Sequence, residues 1–515
     1  MSSAVESTST VADLVAAAGD ARIVHGEPTA PIGSVRIDSR QVTPGDLFVA
    51  IRGEEQDGAR FVGAALTSGA HAIAVEEDQA ERVAETARDA VVIACSSSRR
   101  FAAAAAAERA GRPSTKLVLV AITGTSGKTT TAWILEKIFQ AAGHPTGLIG
   151  TIEYRFADEC EAAPLTTPDA VALQDLLRRM VDSGVTHAVM EASSHALALD
   201  RLHATSCDAG VYTNLSRDHL DFHEDLSSYA AAKARLLHEV LPDSGKESFA
   251  VLNAADAEGR RLAAEITVPH VSFGEGGDVS AEDVECDLDG LRGTLVLGDE
   301  RAAFATGLIG TPHLQNLLAA SAAAWRIGIP AGDIVRGLAD CASVPGRLEM
   351  VRAGQPFAVI VDYAHKPDAL EHTLGSLRTL TRERLIVVFG CGGDRDVGKR
   401  KIMGEIAGRL ADLVILTSDN PRTEDPLEII KAIETGVQET SCTHVAQEAL
   451  GQRGGVEYAV VPGRRAAIQR SMNVARAGDL VLIAGKGHED YQIVGTTKSH
   501  FDDREEIRRA LGVAA

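Results

Sequence analysis

A short run of β-branched and other apolar residues, then a polar or glycine-rich turn, then a helical pattern: this succession repeats along the chain and constrains its fold more than any other feature. The runs are Leu117–Ile122, His187–Met190 and Phe249–Leu252, followed by Ala358–Val361, Leu385–Phe389, Leu413–Leu416 and Leu480–Ile483. Strands this apolar are buried on both faces, and their alternation with helices predicts mainly parallel sheets with right-handed crossovers. Ligands of such sheets bind just beyond the carboxyl ends of the strands. The unusual polar residues of this chain follow those ends repeatedly.

Two punctuated stretches, Gly111-Arg-Pro-Ser-Thr-Lys116 and Val344-Pro-Gly-Arg347, precede strand-like runs and read as boundaries. They divide the chain into 1–113, 114–345 and 346–515, in line with 515 residues at about 150 per domain. The alanine run 102–107 reads as part of a helix.

Acidic residues number 72 against 51 basic, a formal charge of −21, which argues against nucleic acid or an anionic membrane face as partner. With 45% apolar and 24% charged residues the chain is globular, not disordered. Seven cysteines without a C-x-x-C pair suit a reducing compartment. The first twenty residues lack a basic n-region and carry Glu6 and Asp13, and no apolar run reaches the ~20 residues of a membrane span. A cytoplasmic protein without membrane insertion is expected, a monomer or small oligomer.

The run 117–122 leads into Thr123-Gly124-Thr125-Ser126-Gly127-Lys128-Thr129-Thr130 and an amphipathic helix with Trp133, Ile134, Ile138 and Phe139. Glycines let backbone N–H groups curl around phosphate oxygens, and the helix N-terminus adds partial positive charge. Lys128 would reach the β and γ phosphates of ATP, and the Thr129 hydroxyl would hold Mg²⁺. The loop is a shortened form, since Ile122 stands where the full motif has glycine.

The run 187–190 ends in Glu191-Ala-Ser193-Ser194-His195, placing a carboxylate near the phosphate loop, suited to Mg²⁺. Asn214-Leu-Ser-Arg217-Asp218-His219-Leu-Asp221-Phe-His223 alternates Asp and His, with His219 the best candidate metal ligand. Lys233 lies in an alanine-rich helix beginning near Ser227, where the ordinary reading is a solvated helix-face lysine.

Together these motifs resemble the Mur ligase family, over almost the whole chain. Thr123–Thr130 is similar to its ATP loop, Glu191–His195 and Asn214–Asp221 to its central-domain motifs, and Tyr229-Ala-Ala-Ala-Lys233 to the lysine the family carbamylates. The resemblance therefore implies that Lys233 is a carbamate able to bind metal. It implies ATP contacts at Gly124, Thr125, Ser126, Gly127, Lys128, Thr129, Thr130, Asn316, Arg347 and Asp362. Catalytic roles fall to Lys128, Glu191, His219 and Lys233, with one Mg²⁺ held by Thr129 and Glu191 and a second by His219 and carbamylated Lys233. Asp38-Ser39-Arg40 resembles the UDP-binding region of the branch that adds the third peptide residue. Ser39, Thr166, Thr167, Ser193 and Arg201 then fall where this branch contacts a UDP-muramoyl dipeptide. The fold implied is α/β in three domains: a smaller N-terminal α/β domain binding UDP, a central P-loop-type ATPase domain whose mostly parallel sheet carries helices on both faces, and a Rossmann-like C-terminal domain receiving an amino acid.

In the last part, Pro345-Gly-Arg347 and Val361-Asp362-Tyr-Ala-His365 resemble the ATP-side linker and ribose contacts, with Pro345 and Gly346 as expected hinge residues. Arg395, Asp419, Asn420, Pro421, Arg422, Gly485 and Glu489 fall in loops resembling those that receive the incoming amino acid. Asp419-Asn-Pro-Arg422 resembles the signature of ligases that add meso-diaminopimelate, the lysine-adding relatives lacking the arginine. A guanidinium binds the second carboxylate of diaminopimelate through two parallel hydrogen bonds, and a buried Arg422 would be left unpaired by lysine. Glu489 would complement the distal ammonium and Arg395 would take a carboxylate. Two departures stand out: Pro312 and His313 replace the usual Phe and Asn near the adenine, and Lys366 replaces the usual Thr. The expected reaction is ATP-dependent amide formation through an acyl phosphate. The alternatives are a lysine-adding ligase, a folylpolyglutamate-type ligase, or a nucleotide switch without ligase activity.

Overall fold

The computed structural model describes residues 9–53, 56–218 and 222–513. Among them the strands gather mainly in three sheets, each from one stretch of the chain. The first runs in the order Ala21–His25, Val91–Cys95, Ala72–Glu76, Leu47–Val49, Val35–Arg36, parallel except at Ala21–His25. The alanine run lies in the helix Ser98–Arg109 with every methyl buried. Its short side chains let this helix fit between the first sheet and the helix Ala170–Asp182.

The second sheet has a parallel centre in the order His270–Phe273, Phe249–Asn253, Ala209–Tyr212, Val118–Thr123, His187–Glu191, Thr146–Ile149. Val120 and Ile122 face a core containing Ile134, Ile138 and Leu317, while Leu119 and Ala121 face another containing Leu173, Leu177 and Met190. Each large aliphatic side chain so buried contributes about 1.5–3 kcal/mol, and two covered faces explain the uninterrupted apolar runs. Further strands extend both edges: antiparallel Glu153–Phe156 and Glu159–Ala162 on one, and on the other Val279–Asp287, which joins in parallel, followed by antiparallel Gly290–Leu297 and Glu300–Thr306. The repeating sequence pattern gave no notice of these, because half-exposed strands such as Val279–Asp287 carry no apolar run.

The helix Lys128–Ala141 packs against the helices Thr311–Ile327 and Ala331–Asp340. Trp133 and Trp325, the two tryptophans of the chain, both pack against this core. The Arg155 guanidinium lies 3.8 Å from the Trp133 ring centroid and pairs with Glu136 on the same helix as Trp133.

The third sheet follows the order Glu349–Met350, Ala358–Asp362, Leu480–Ala484, Leu385–Phe389, Leu413–Leu416, Glu457–Val460, Thr443–His444, parallel except at its first strand. Register aligns strand ends in both larger sheets. Glu191 lies opposite Ile122 and Tyr212 opposite Thr123; Asp362 lies opposite Ala484 and Phe389 opposite Leu416. The turns that follow therefore leave each sheet on a common edge. No helix among the described residues is long and apolar enough to cross a membrane.

The helices Gly398–Leu410 and Pro426–Val437, which follow two of those turns in the third sheet, touch backbone to backbone. A Cβ on Gly404 would lie 2.0 Å from the Ile433 carbonyl oxygen, and one on Gly436 would lie 1.9 Å from that of Lys401. Gly436→Ala is expected to cost about 1–3 kcal/mol of overpacking, lowering the melting transition of this region by roughly 3–10 °C. Calorimetry checks it, and an unchanged transition would show that the helices part freely.

Candidate active site

The turn after Val118–Thr123 is clipped to the segment after Ala209–Tyr212. The Thr125 amide donates to the Asn214 carbonyl at 2.9 Å, the Ser126 amide to Asn214 Oδ1 at 3.0 Å, and Thr213 Oγ1 to the Ser126 carbonyl at 2.7 Å. Gly124, at φ +137°, admits no side chain, since a Cβ would lie 1.9 Å from Thr213 Oγ1. Lys128 Nζ donates to the carbonyls of Gly124 at 2.8 Å and Thr125 at 3.1 Å. Lys233 Nζ donates to the same Gly124 carbonyl, also at 2.8 Å.

Lys233 is thus buried and not a solvated helix-face residue. Its Nζ lies 4.3 Å from the Tyr229 ring centroid, and the Tyr229 hydroxyl donates to Thr125 Oγ1 at 3.3 Å. Burial pushes Lys128 down to about 8. Burial, with the Lys128 charge second, pushes Lys233 well below the usual lysine range and favours its neutral amine.

Glu191, buried at the end of its strand, joins two groups of side chains. Its Oε2 accepts from Thr129 Oγ1 at 3.1 Å and Thr151 Oγ1 at 3.0 Å, and its Oε1 accepts from the Thr151 amide at 2.7 Å. On the other side Thr167 Oγ1 donates to the Glu191 carbonyl at 2.7 Å and accepts from the Ser193 amide at 3.1 Å. Arg201 Nη1 donates to the Thr167 carbonyl at 2.8 Å, and Thr166 lies 3.2 Å from Thr151, hydroxyl to hydroxyl. No ion pair reaches Glu191 among the described residues, and its neighbours are hydroxyl and amide groups. This oxygen-rich set fits a small hard cation. His219 and Asp221 lie outside the described residues.

Arg347 brings the third sheet's part of the chain to this cluster, donating from Nη2 to Thr129 Oγ1 at 3.2 Å, with its guanidinium 4.5 Å from the Tyr363 ring centroid. His313 and His488 both sense the Arg347 charge. Arg347 Nε, His313 Nδ1 and His488 Nδ1 are buried without a hydrogen-bond partner among the described residues, an arrangement that suits a polar ligand. Burial holds His313 down to about 4 and His488 to about 3, so both rings are neutral. Asn316 is buried beside the loop, its Oδ1 where a Gly127 side chain would stand. The Asp362 carboxylate accepts from the amides of Leu348 at 2.8 Å and Ala364 at 2.9 Å, bracing the linker after Arg347. The turn at Pro345–Gly346 packs onto Gly487 and His488.

On the common edge of the third sheet, Asp419, Asn420, Arg422, Gly485 and Glu489 come together. Arg422 is half-buried, not buried, because it sits at a turn with φ +50°, held by its amide on the Ile493 carbonyl and its carbonyl under the Gly495 amide. Its Nη1 donates to the Gly393 carbonyl at 2.8 Å. Pro421 is buried beside it, and Arg395 is exposed, donating to the Asp394 carbonyl at 3.0 Å. The centre of the group is Lys486, fully buried, whose Nζ donates to Asn420 Oδ1 at 3.0 Å and the Tyr491 carbonyl at 2.6 Å, with Asp419 at 3.4 Å and Glu489 at 3.8 Å. Asn420 Nδ2 donates to Glu489 Oε2 at 3.0 Å, and burial followed by the Asp419 charge raises Glu489.

Ser39 stands apart, in a turn of the first sheet's stretch that Asp38 closes by accepting from the Arg40 amide at 3.0 Å. Sequence reasoning passed over Thr151, Asn214 and Lys486. Thr151 follows a strand end, as the recognised residues do, and Lys486 lies between two residues already chosen.

The comparisons agree in direction. Residues 31–114 match the Mur ligase family catalytic domain, 122–324 the Mur ligase middle domain, and 346–487 the Mur ligase glutamate ligase domain. The UDP-N-acetylmuramoyl-L-alanyl-D-glutamate–2,6-diaminopimelate ligase of Geobacter metallireducens is 45% identical over 479 residues, covering 92% of this chain and 93% of that protein. The ligase of the same name from Gloeobacter violaceus is 45% identical over 486 residues, 94% of each. A solved structure of a ligase with that name shares 31% identity at a TM-score of 0.69, covering 98% of this chain and 99% of that one. MurF ligase of Thermotoga maritima in complex with ADP, 19% identical, shares the fold at a TM-score of 0.60 over 88% of this chain and 93% of that one.

Removing the Lys486 ammonium would leave Asp419 and Glu489 facing each other without the cation that pairs with both. Lys486→Met is expected to destabilise this loop group by about 3–5 kcal/mol, as breaking a buried charge pair does. Hydrogen exchange at residues 486–495 should then quicken, Ile493 above all because its amide bonds Asn420 Oδ1 at 3.0 Å, while the first sheet stays protected. Unchanged exchange would make the charge dispensable.

Proposed function

The chain belongs to the Mur ligase family, and from that premise we propose that it joins meso-2,6-diaminopimelate to UDP-N-acetylmuramoyl-L-alanyl-D-glutamate, with ATP cleaved to ADP and phosphate, in peptidoglycan precursor synthesis. The observation that carries this reading is the position of Glu191. Thr129 of the phosphate-loop helix bonds its carboxylate, and Thr167 bonds its backbone carbonyl. The phosphate donor and the acceptor carboxylate would then meet across one strand end. Ser39, Thr166, Thr167, Ser193 and Arg201 bind the UDP-muramoyl dipeptide, residues 1–113 holding its UDP end. Residues 114–345 hold ATP, through Gly124 to Thr130 and Asn316, with Arg347 and Asp362 contributed by residues 346–515.

Attack of an amine on a free carboxylate fails because oxide is a poor leaving group. Transfer of the γ-phosphoryl group to the D-glutamate γ-carboxylate gives an acyl phosphate and ADP. The amine of diaminopimelate then adds to the acyl carbon, and phosphate leaves as the amide forms. Lys128 turns from the Gly124 carbonyl to the phosphates and offsets their charge as the two anions approach. Lys233, as its neutral amine, is in the form that adds carbon dioxide to become a carbamate. Thr129, Glu191, His219 and carbamylated Lys233 would hold Mg²⁺, which when bound neutralises phosphate charge. Arg422 and Arg395 bind carboxylates of the amino acid, and Asp419, Asn420, Pro421, Gly485 and Glu489 frame its distal end. An acyl phosphate exposed to water hydrolyses, so residues 346–515 close over the middle of the chain during turnover.

Phosphate release, measured with ATP, Mg²⁺ and the UDP-muramoyl dipeptide, is expected only when diaminopimelate is added, not lysine or glutamate. Turnover with lysine alone would overturn the amino-acid assignment, and glutamate-dependent turnover would indicate a folylpolyglutamate-type ligase. Arg422→Ala should raise KM for diaminopimelate about 10- to 100-fold with KM for ATP nearly unchanged. Equal weakening of both would make Arg422 a support of the fold. Lys233→Ala should lose activity and recover part of it with added short carboxylates; full activity without them would count against the carbamate.

A further inference from the structure

Lys366 belongs to none of the groups assigned above. It immediately precedes the helix Pro367–Leu380, its backbone fixed by the Leu370 amide on its carbonyl at 2.9 Å and by Lys399 Nζ on the neighbouring His365 carbonyl at 2.9 Å. From this firm base its half-buried side chain crosses to the middle of the chain and pairs with Asp218. Asp218 lies two residues beyond Ser216 of the segment clipped to the phosphate loop, whose amide donates to Thr125 Oγ1 at 3.0 Å. The charges of Lys366, Asp218 and Arg347 all act on the Lys128 ammonium, and that of Lys366 acts on Lys233 as well. A second cation, contributed by residues 346–515, therefore acts on the lysines of the phosphate loop.

We infer that Lys366 binds the terminal phosphate of ATP, its ammonium being shared between that phosphate and Asp218, so that the third phosphate draws residues 346–515 onto the phosphate loop. An ammonium carries three donors, and the Asp218 carboxylate engages one of them here. A terminal phosphate bears more negative charge than one carboxylate and competes for the rest. ADP lacks that group and gains nothing from Lys366. This inference rests on the ATP reading of the phosphate loop.

The test is calorimetric titration of the full chain with Mg²⁺ and either a non-hydrolysable ATP analogue or ADP, for the wild type, Lys366→Met, Lys366→Thr, Lys366→Arg and Asp218→Asn. Both neutral variants should weaken the triphosphate about tenfold or more while ADP stays within about twofold. Lys366→Arg should keep most of the preference, and Asp218→Asn should leave triphosphate binding as tight or tighter. Equal weakening of both nucleotides, in Lys366→Met and Asp218→Asn alike, would reduce the pair to a fold contact and overturn the inference, as would no change in either. Failure of the wild type to bind any nucleotide would instead remove the ATP reading beneath it.

Discussion

Two lysines share one carbonyl oxygen, and much of the site depends on that arrangement. The Gly124 carbonyl accepts from Lys128 and Lys233, which lie more than a hundred residues apart in sequence but are brought within reach by parallel pairing. Burial disfavours the charged form of each, and the Lys128 charge adds to that effect at Lys233. The result is one lysine kept near its charge threshold and another driven toward the neutral amine.

The centres of the sheets were legible because strands buried on both faces must be apolar throughout. All seven apolar runs are strands, most reaching one residue further than the run itself. That extra residue is Glu191, Asn253 or Asp362 in three cases, polar enough to end an apolar run and placed where the edge turns begin. The edge additions at 153–162 and 279–306 were not legible, since their mixed exposure imitates loop sequence.

The site was legible as a set of residues and much less as a set of contacts. Local spacing gave Lys233 the appearance of a solvated side chain, and it is buried. Its partner, the Gly124 carbonyl, follows a strand end 109 residues away, which no local pattern records. Arg422 was expected buried, yet a left-handed backbone turn leaves it half-buried. The Asp362 carboxylate accepts from two amides, of the linker and of the following turn, a bracing role that its sequence position does not announce. A polar side chain on a strand end serves its own loop as readily as a ligand, and sequence alone does not say which.

The placing of the two tryptophans has a practical side. Trp133 and Trp325 sit on neighbouring helices of the middle region, and the first and third sheets have none. Intrinsic tryptophan emission from this protein thus reports on one part of the chain alone. Trp133 lies under a guanidinium and on the helix that begins at Lys128, so its emission is placed to register changes at that helix. Unfolding of either flanking region would pass almost unseen at the same wavelength. A melt followed by fluorescence and one followed by circular dichroism would then disagree, and the gap between them would measure how independently the regions come apart.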